Sequence, residues 1–199
     1  MGPILFALYI NDLTDVLKCY HLLYADDVKL IEIIRSTDSC LNLQQDLYAL
    51  AEWTKKWSMD LNLKKCKRMH LGKSNQNFVY SIKENGLRYQ LPVTLLENDL
   101  GVHIISDLKW ESQVSQSVNK ANRTLGMLRN SFKYVNKKSF RLLYSSLVRP
   151  HLEYGNSVWH PYLKKDIDSL ERVQRTATKL VRSISHKPYE SRLKDLKIL

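Results

Sequence analysis

Tyr24-Ala25-Asp26-Asp27 sets two neighbouring carboxylates at a sharp break in an apolar run, with His21-Leu22-Leu23-Tyr24 before them and Val28-Lys29-Leu30-Ile31 after. Asp favours turns because its side chain bonds nearby backbone and tolerates unusual dihedrals. Two acids on a turn do little for folding. They suit a hard divalent cation such as Mg²⁺ or Mn²⁺, which takes oxygen ligands and is commonly held by one or two carboxylates plus substrate phosphates. Holding two cations ~3.5–4 Å apart for phosphoryl transfer takes a further carboxylate from a neighbouring strand. Asp12 and Asp15 lie nearby in sequence, but their positions suit capping or ending a helix. Lys65 could donate a proton to a leaving group or hold its charge. Its plainer reading is a solvated or nucleic-acid-facing side chain.

The elements that must position these residues follow from periodicity. Residues 3–17 read as a helix ending near Asn11-Asp12-Leu13-Thr14, with a short turn after it. Residues 19–34 read as a hairpin with both acids at its tip. Ser36-Thr37-Asp38-Ser39 offers N-cap candidates. Leu43, Leu47, Leu50, Trp53 and Trp57 then form one stripe, with Gln44, Gln45, Asp46, Glu52, Lys55 and Lys56 expected on the solvent face and an end at Asp60-Leu61-Asn62. Residues 64–72, including Lys65, suit a short strand. Ser74-Asn75-Gln76-Asn77 reads as a loop, Phe78-Val79-Tyr80-Ser81-Ile82 as a strand, Glu84-Asn85-Gly86 as a turn and residues 100–105 as another strand. A small antiparallel sheet is therefore expected in the middle. Beyond Asp107 the pattern is helical. Val114, Val118, Ala121, Leu125 and Leu128 mark one helix. Phe140, Leu143, Tyr144 and Leu147 mark a second, stopped by Pro150. Leu170, Val173, Ala177, Leu180 and Val181 mark a third. The fold class is α+β, with a three-helix unit over roughly 110–185.

The 199 residues carry a net charge of +11, unevenly placed. Residues 1–63 hold five Lys/Arg and nine Asp/Glu, a net of −4, and residues 64–199 hold 26 and 11, a net of +15. An acidic front with a cation-binding turn and a basic back suits a protein that processes a phosphodiester polyanion. Lys120, Arg123, Arg129 and Lys133, then Arg172, Arg175 and Lys179, are the candidate phosphate contacts. Tyr134, Tyr144, Tyr154 and Trp159 are interleaved with this basic segment. Aromatics can stack on bases, although Tyr144 and Trp159 also suit a core. The longest apolar run, residues 3–10, is too short to span a bilayer. Cys19, Cys40 and Cys66 are odd in number and widely spaced, so neither a disulfide framework nor a zinc site is expected. A reducing setting in the nucleus or cytoplasm is the expectation. The six histidines show no ligand spacing.

Several blocks, in order, resemble the reverse transcriptase of a non-LTR (LINE-type) retrotransposon of the jockey and chicken-repeat kind. Gly2-Pro3-Ile4-Leu5-Phe6 with Tyr9-Ile10-Asn11-Asp12-Leu13 is similar to one family block. Tyr24-Ala25-Asp26-Asp27 resembles its catalytic hairpin, with Val28 where Thr is common. Trp53, Trp57 and Leu61-Asn62-Leu63-Lys64-Lys65-Cys66 resemble the next. Asp99-Leu100-Gly101-Val102 with Leu108-Lys109-Trp110 resembles the lead into the thumb. Residues 144–155, Trp159 and Leu170-Glu171-Arg172-Val173-Gln174-Arg175 resemble the thumb itself.

The resemblance implies a partial right-hand polymerase: a palm over residues 1–106, then a helical thumb and the start of a C-terminal extension over 107–199. It implies Asp26 and Asp27 as metal ligands and places Lys65 at the family's lysine position. Substrates would be an RNA template, a DNA primer and deoxynucleoside triphosphates, with no membrane. The family's first catalytic Asp and its fingers fall upstream of Gly2. The expectation is therefore a truncated fragment, inactive alone, with a non-catalytic nucleic-acid-binding remnant as the alternative.

Overall fold

The computed structural model describes residues 1–72, 75–84 and 86–198. The chain divides into two compact units, Met1–Leu95 and Leu96–Leu199. It is α+β, built of helices and small antiparallel hairpins.

In the first unit, Pro3 sits in the opening turn of α1 (Gly2–Ile10), where its missing N–H costs nothing. α2 (Leu13–Val16) follows. Ile10, Leu13 and Leu17 are buried against Leu50 and Trp53. β1 (Tyr20–Tyr24) and β2 (Asp27–Ile31) pair antiparallel, with Tyr24 opposite Asp27. Leu23, Val28 and Leu30 turn inward onto the same core, and the alternate residues Tyr20, Leu22 and Tyr24 face out. α3 (Thr37–Lys56) begins at Ser36, whose hydroxyl accepts from the Ser39 N–H at 3.4 Å. Leu47, Leu50 and Trp53 are buried, as their spacing requires. The helix ends before Asp60: Ser58 takes a left-handed φ of +53° and the Met59 N–H returns to the Thr54 carbonyl at 2.8 Å.

Two features of α3 overturn the sequence expectation. Gln44 and Asp46 are buried, not solvated, at 5% and 3% exposure. Gln44 pairs with the backbone of Ser81 in both directions, donating to its carbonyl (2.7 Å) and accepting from its N–H (2.9 Å). The amide acts as a one-residue strand along the edge of the next hairpin, β3 (Ser81–Glu84) and β4 (Leu87–Gln90).

Residues 64–72 do not form a strand. The Lys65 and Cys66 N–H groups turn back to the Asn62 carbonyl (2.9 and 3.2 Å). Arg68 forms an isolated bridge to Val93. Pro92 has no N–H to extend that ladder. Nor is there one middle sheet among the described residues; each ladder is a separate two-stranded hairpin. Ser74 and Asn85, from the expected loop and turn, lie outside the described residues.

The second unit opens with β5 (Leu96–Asp99) and β6 (Val102–Ile105). Their two-residue loop, Leu100-Gly101, has φ of +46° and +87°, the sign pattern whose twist matches a hairpin. A Cβ on Gly101 would lie 3.1 Å from the Tyr154 ring, whose hydroxyl donates to the Leu100 carbonyl at 2.7 Å. Then come α4 (Glu111–Ser131), α5 (Lys137–Leu143), a π turn (Tyr144–Val148), α6 (Arg149–Glu153), α7 (Lys164–Thr178), a 3-10 turn (Arg182–Ile184) and α8 (Tyr189–Leu196). Ala121, Leu125 and Leu128 meet Phe140, Tyr144, Val148, Val173, Ala177 and Val181 in one core. The larger of these side chains each contribute about 1.5–3 kcal/mol by burial.

Pro150 does not stop the second helix. The π turn inserts one residue, the Arg149 N–H reaches back to the Tyr144 carbonyl, and Pro150 falls in the first turn of α6. The register shift buries Val148 and leaves Leu147 39% exposed. Ser145 and Ser146 hydroxyls donate to the Arg141 and Leu142 carbonyls, each at 2.5 Å, along the widened turn.

Candidate active site and nucleic-acid interface

The hairpin tip is two residues long. Asp27 closes the ladder opposite Tyr24, and Ala25-Asp26 forms the loop. Ala25 has a φ of +50°. That conformation strains a residue with a Cβ, and such strain persists only where surrounding structure enforces it. Both carboxylates are exposed.

The other end of the hairpin is anchored by a residue expected on the solvent face of α3. The Asp46 carboxylate accepts from the Lys18 N–H (3.1 Å) and the Cys19 N–H (2.6 Å), fixing the chain as it enters β1. Burial, reinforced by this carboxylate, pushes the Cys19 thiol up to about 12. Asp46→Ala would strand those two N–H groups, each worth about 1–3 kcal/mol when buried and unpaired. The expected result is a loss of about 3 kcal/mol in urea unfolding, with faster hydrogen exchange across β1 and β2. Asp46→Asn keeps one acceptor oxygen and should fall between. An unchanged midpoint for Asp46→Ala would remove this anchor from the account.

Asp12 occupies the N-cap position of α2, but its side chain caps nothing. It accepts from the Trp53 indole N–H at 3.0 Å, a strut to α3. Asp15 is exposed in the first turn of α2. Lys65 is exposed in a turn, not on a strand. Its neighbours Leu63 and Cys66 pack into the core that Leu30 of β2 also joins, so Lys65 and the acid hairpin hang from connected packing. Among the described residues no group of three or more His, Cys, Asp or Glu is gathered for a metal. Asp26 and Asp27 fit a hard divalent cation in kind, while chemistry with two ions needs another carboxylate.

In the second unit, Lys120, Arg123 and Arg129 on α4, Lys133 in the α4–α5 connection, Arg172 and Arg175 on α7, and Lys179 at the C-cap of α7 are all exposed. Lys179 keeps helical dihedrals, so spacings of three and four residues place these last three cations on one face. The Arg175 guanidinium lies 4.8 Å from the Tyr189 ring centroid. No Asp or Glu occurs between Glu111 and Glu153, while eight Lys or Arg do. Tyr144 and Trp159 are core residues, at 3% and 2% exposure. Burial pushes the Tyr144 hydroxyl up to about 12. The Trp159 indole donates to the Tyr154 carbonyl at 2.7 Å. Neither ring is open to a base.

Sequence reasoning missed Asp46 because the N–H groups it satisfies lie about thirty residues away, and a polar residue beside an apolar stripe carries no local mark of burial. Comparison with curated proteins and with solved structures finds no match. Residues 1–143 match the family model described as reverse transcriptase (RNA-dependent DNA polymerase), a span that holds the acid-tipped hairpin, Lys65 and the four basic residues from Lys120 to Lys133. With most of its length inside that match, the chain belongs to the reverse transcriptase family.

Proposed function

We propose that the chain is the acid-bearing palm segment and thumb of a non-LTR, LINE-type reverse transcriptase, and that it does not polymerise alone. The observation that carries this reading is the tight hairpin with Asp26 and Asp27 exposed at its tip, inside the family match. Asp26 and Asp27 would hold a divalent cation, Mg²⁺ or Mn²⁺, which would supply charge neutralisation at the reacting phosphate and activation of the attacking oxygen. Ala25 and Asp46 position the two carboxylates through the loop conformation and the entry to β1. Lys65, held beside Leu63 and Cys66, would steady the charge of departing pyrophosphate. The cations of α4 and α7 would bind template–primer phosphates without reading bases.

Two adjacent carboxylates are too few for two ions, and no third is gathered with them among the described residues. Purified chain given an RNA template, a DNA primer, deoxynucleoside triphosphates and Mg²⁺ is expected to show no primer extension above background. Extension that is lost in Asp26→Asn or Asp27→Asn would overturn the inactivity and keep the site. Extension that survives both substitutions would overturn the site as well.

A second reading, a non-catalytic nucleic-acid-binding remnant, is favoured by the stretch from Glu111 to Glu153 that carries eight cations and no intervening acid. It requires binding without catalysis, and the two readings share the same phosphate contacts.

A further inference from the structure

The connection between α4 and α5 is short and held at three points. The Phe132 N–H donates to the Leu128 carbonyl at 3.0 Å. Val135 packs on the helical core. The Asn136 side chain caps α5 by accepting from the Ser139 N–H at 2.8 Å. Between these anchors Tyr134 is 82% exposed, and the Phe132 side chain at the first of them is 44% exposed. A single exposed ring is ordinary on a protein surface. This one stands in a run, residues 129–141, with Arg129, Lys133, Lys137, Lys138 and Arg141 and no acid. Lys137 pairs with Asp195 at 3.6 Å. Arg129, Lys133, Lys138 and Arg141 make no ion pair among the described residues.

We propose that this connection is a single-strand contact, in which Tyr134 stacks on an unpaired base and the surrounding cations hold the adjoining phosphates. The inference rests on the nucleic-acid binding proposed above and adds a preference for unpaired strand. A single strand alternates a flat apolar base with an anionic phosphate. An outward ring on a fixed backbone, flanked by uncompensated cations, complements that alternation. In a duplex the bases are already stacked on one another, so the ring has no face to meet. Every base offers such a face, and the contact is therefore tolerant of sequence. An anionic membrane would attract the same cations, but one ring and a half-exposed Phe132 supply little apolar surface to insert.

The test uses the full chain, a short single-stranded oligonucleotide carrying one fluorescent purine analogue, and a duplex of equal length. Wild type is expected to quench the analogue on binding. Tyr134→Ala should lose roughly 5- to 150-fold in single-strand affinity, the span of one stacking contact, and its quenching. Duplex affinity and melting temperature should stay the same, since the side chain is exposed. Tyr134→Phe should retain affinity and quenching, because the ring face does the work. Equal single-strand affinity in Tyr134→Ala and wild type would overturn the contact, and so would an equal loss on strand and duplex. Sedimentation of wild type with phosphatidylserine vesicles, lost in Tyr134→Ala while single-strand binding is unchanged, would assign the loop to a membrane instead. If wild type binds neither oligonucleotide at low salt, the nucleic-acid reading itself fails and takes this contact with it.

Discussion

Nucleic-acid affinity of the full chain is expected to fall by roughly 10³–10⁴-fold as monovalent salt rises from about 50 to 200 mM. The size follows from the number of phosphate contacts. Lys120, Arg123, Arg129, Lys133, Arg172, Arg175 and Lys179 are all exposed. Seven such contacts to duplex release counterions with a log–log slope of about −6. No acid between Glu111 and Glu153 offsets the first four, so their field adds. Neutralising Arg172 and Lys179 together to Gln should flatten the slope by about 2 and weaken binding uniformly across sequences. Fluorescence anisotropy against salt reads both quantities. A slope shallower than about −2 for wild type would mean that these side chains do not contact phosphates. A slope left unchanged by the double substitution would move the interface off α7. The same titration serves the polymerase and the remnant readings, because both place template–primer phosphates on these helices.

What the sequence discloses is what repeats locally. The stripe of Leu47, Leu50 and Trp53 makes α3 legible at a period near 3.6, and its burial follows. The acid hairpin is legible because apolar strands flank a pair of turn-favouring residues. The stripe of α4 is legible for the reason α3 is, and Leu170, Val173 and Ala177 mark α7, whereas Leu180 and Val181 lie past its end at Thr178. Features that depend on a distant partner are hidden. Gln44 serves Ser81, 37 residues on, and Asp46 serves Cys19, 27 residues back. Both look like solvated helix residues until the backbone groups they satisfy are known. Proline logic alone misplaces the end of the second helix. Pro150 forbids an ordinary hydrogen bond, yet a π turn absorbs that loss, and only the adjacent serines, able to bond freed carbonyls, hint at it. Lys65 escapes strand assignment because the chain must reverse at Asn62 to bury Leu63 and Cys66. The carboxylate pair is readable from sequence; the Asp46 side chain that anchors the entry to its hairpin is not.

Replacing Arg192 is expected to cost more stability than replacing Asp46. It is 5% exposed, and no carboxylate answers it among the described residues. Its guanidinium donates instead to the Thr178 hydroxyl (3.0 Å) and to the carbonyls of Ser185 (3.4 Å), Lys187 (3.1 Å) and Arg175 (3.4 Å). The Tyr189 ring lies 5.6 Å from it on one side. Arg175 and Thr178 belong to the last turn of α7, the negative end of its dipole, so the cation closes that helix. From α8 the flat fork reaches α7 and the chain after the 3-10 turn at once, which a point charge cannot do. Arg192→Met keeps the length and removes every donor. Hydrogen bonds to a charged group are worth about 1.5–3 kcal/mol each, and some of the released carbonyls will find water, so a net loss of about 4 kcal/mol is expected. For a unit of this size that lowers the melting temperature by on the order of 15 °C. Arg192→Lys should recover less than half. Hydrogen exchange should accelerate across α7 and α8 and leave α3 in the first unit unaffected. A melting temperature within a few degrees of wild type for Arg192→Met would show that these carbonyls need no cation, and that α8 is held by Leu193 and Leu196 alone.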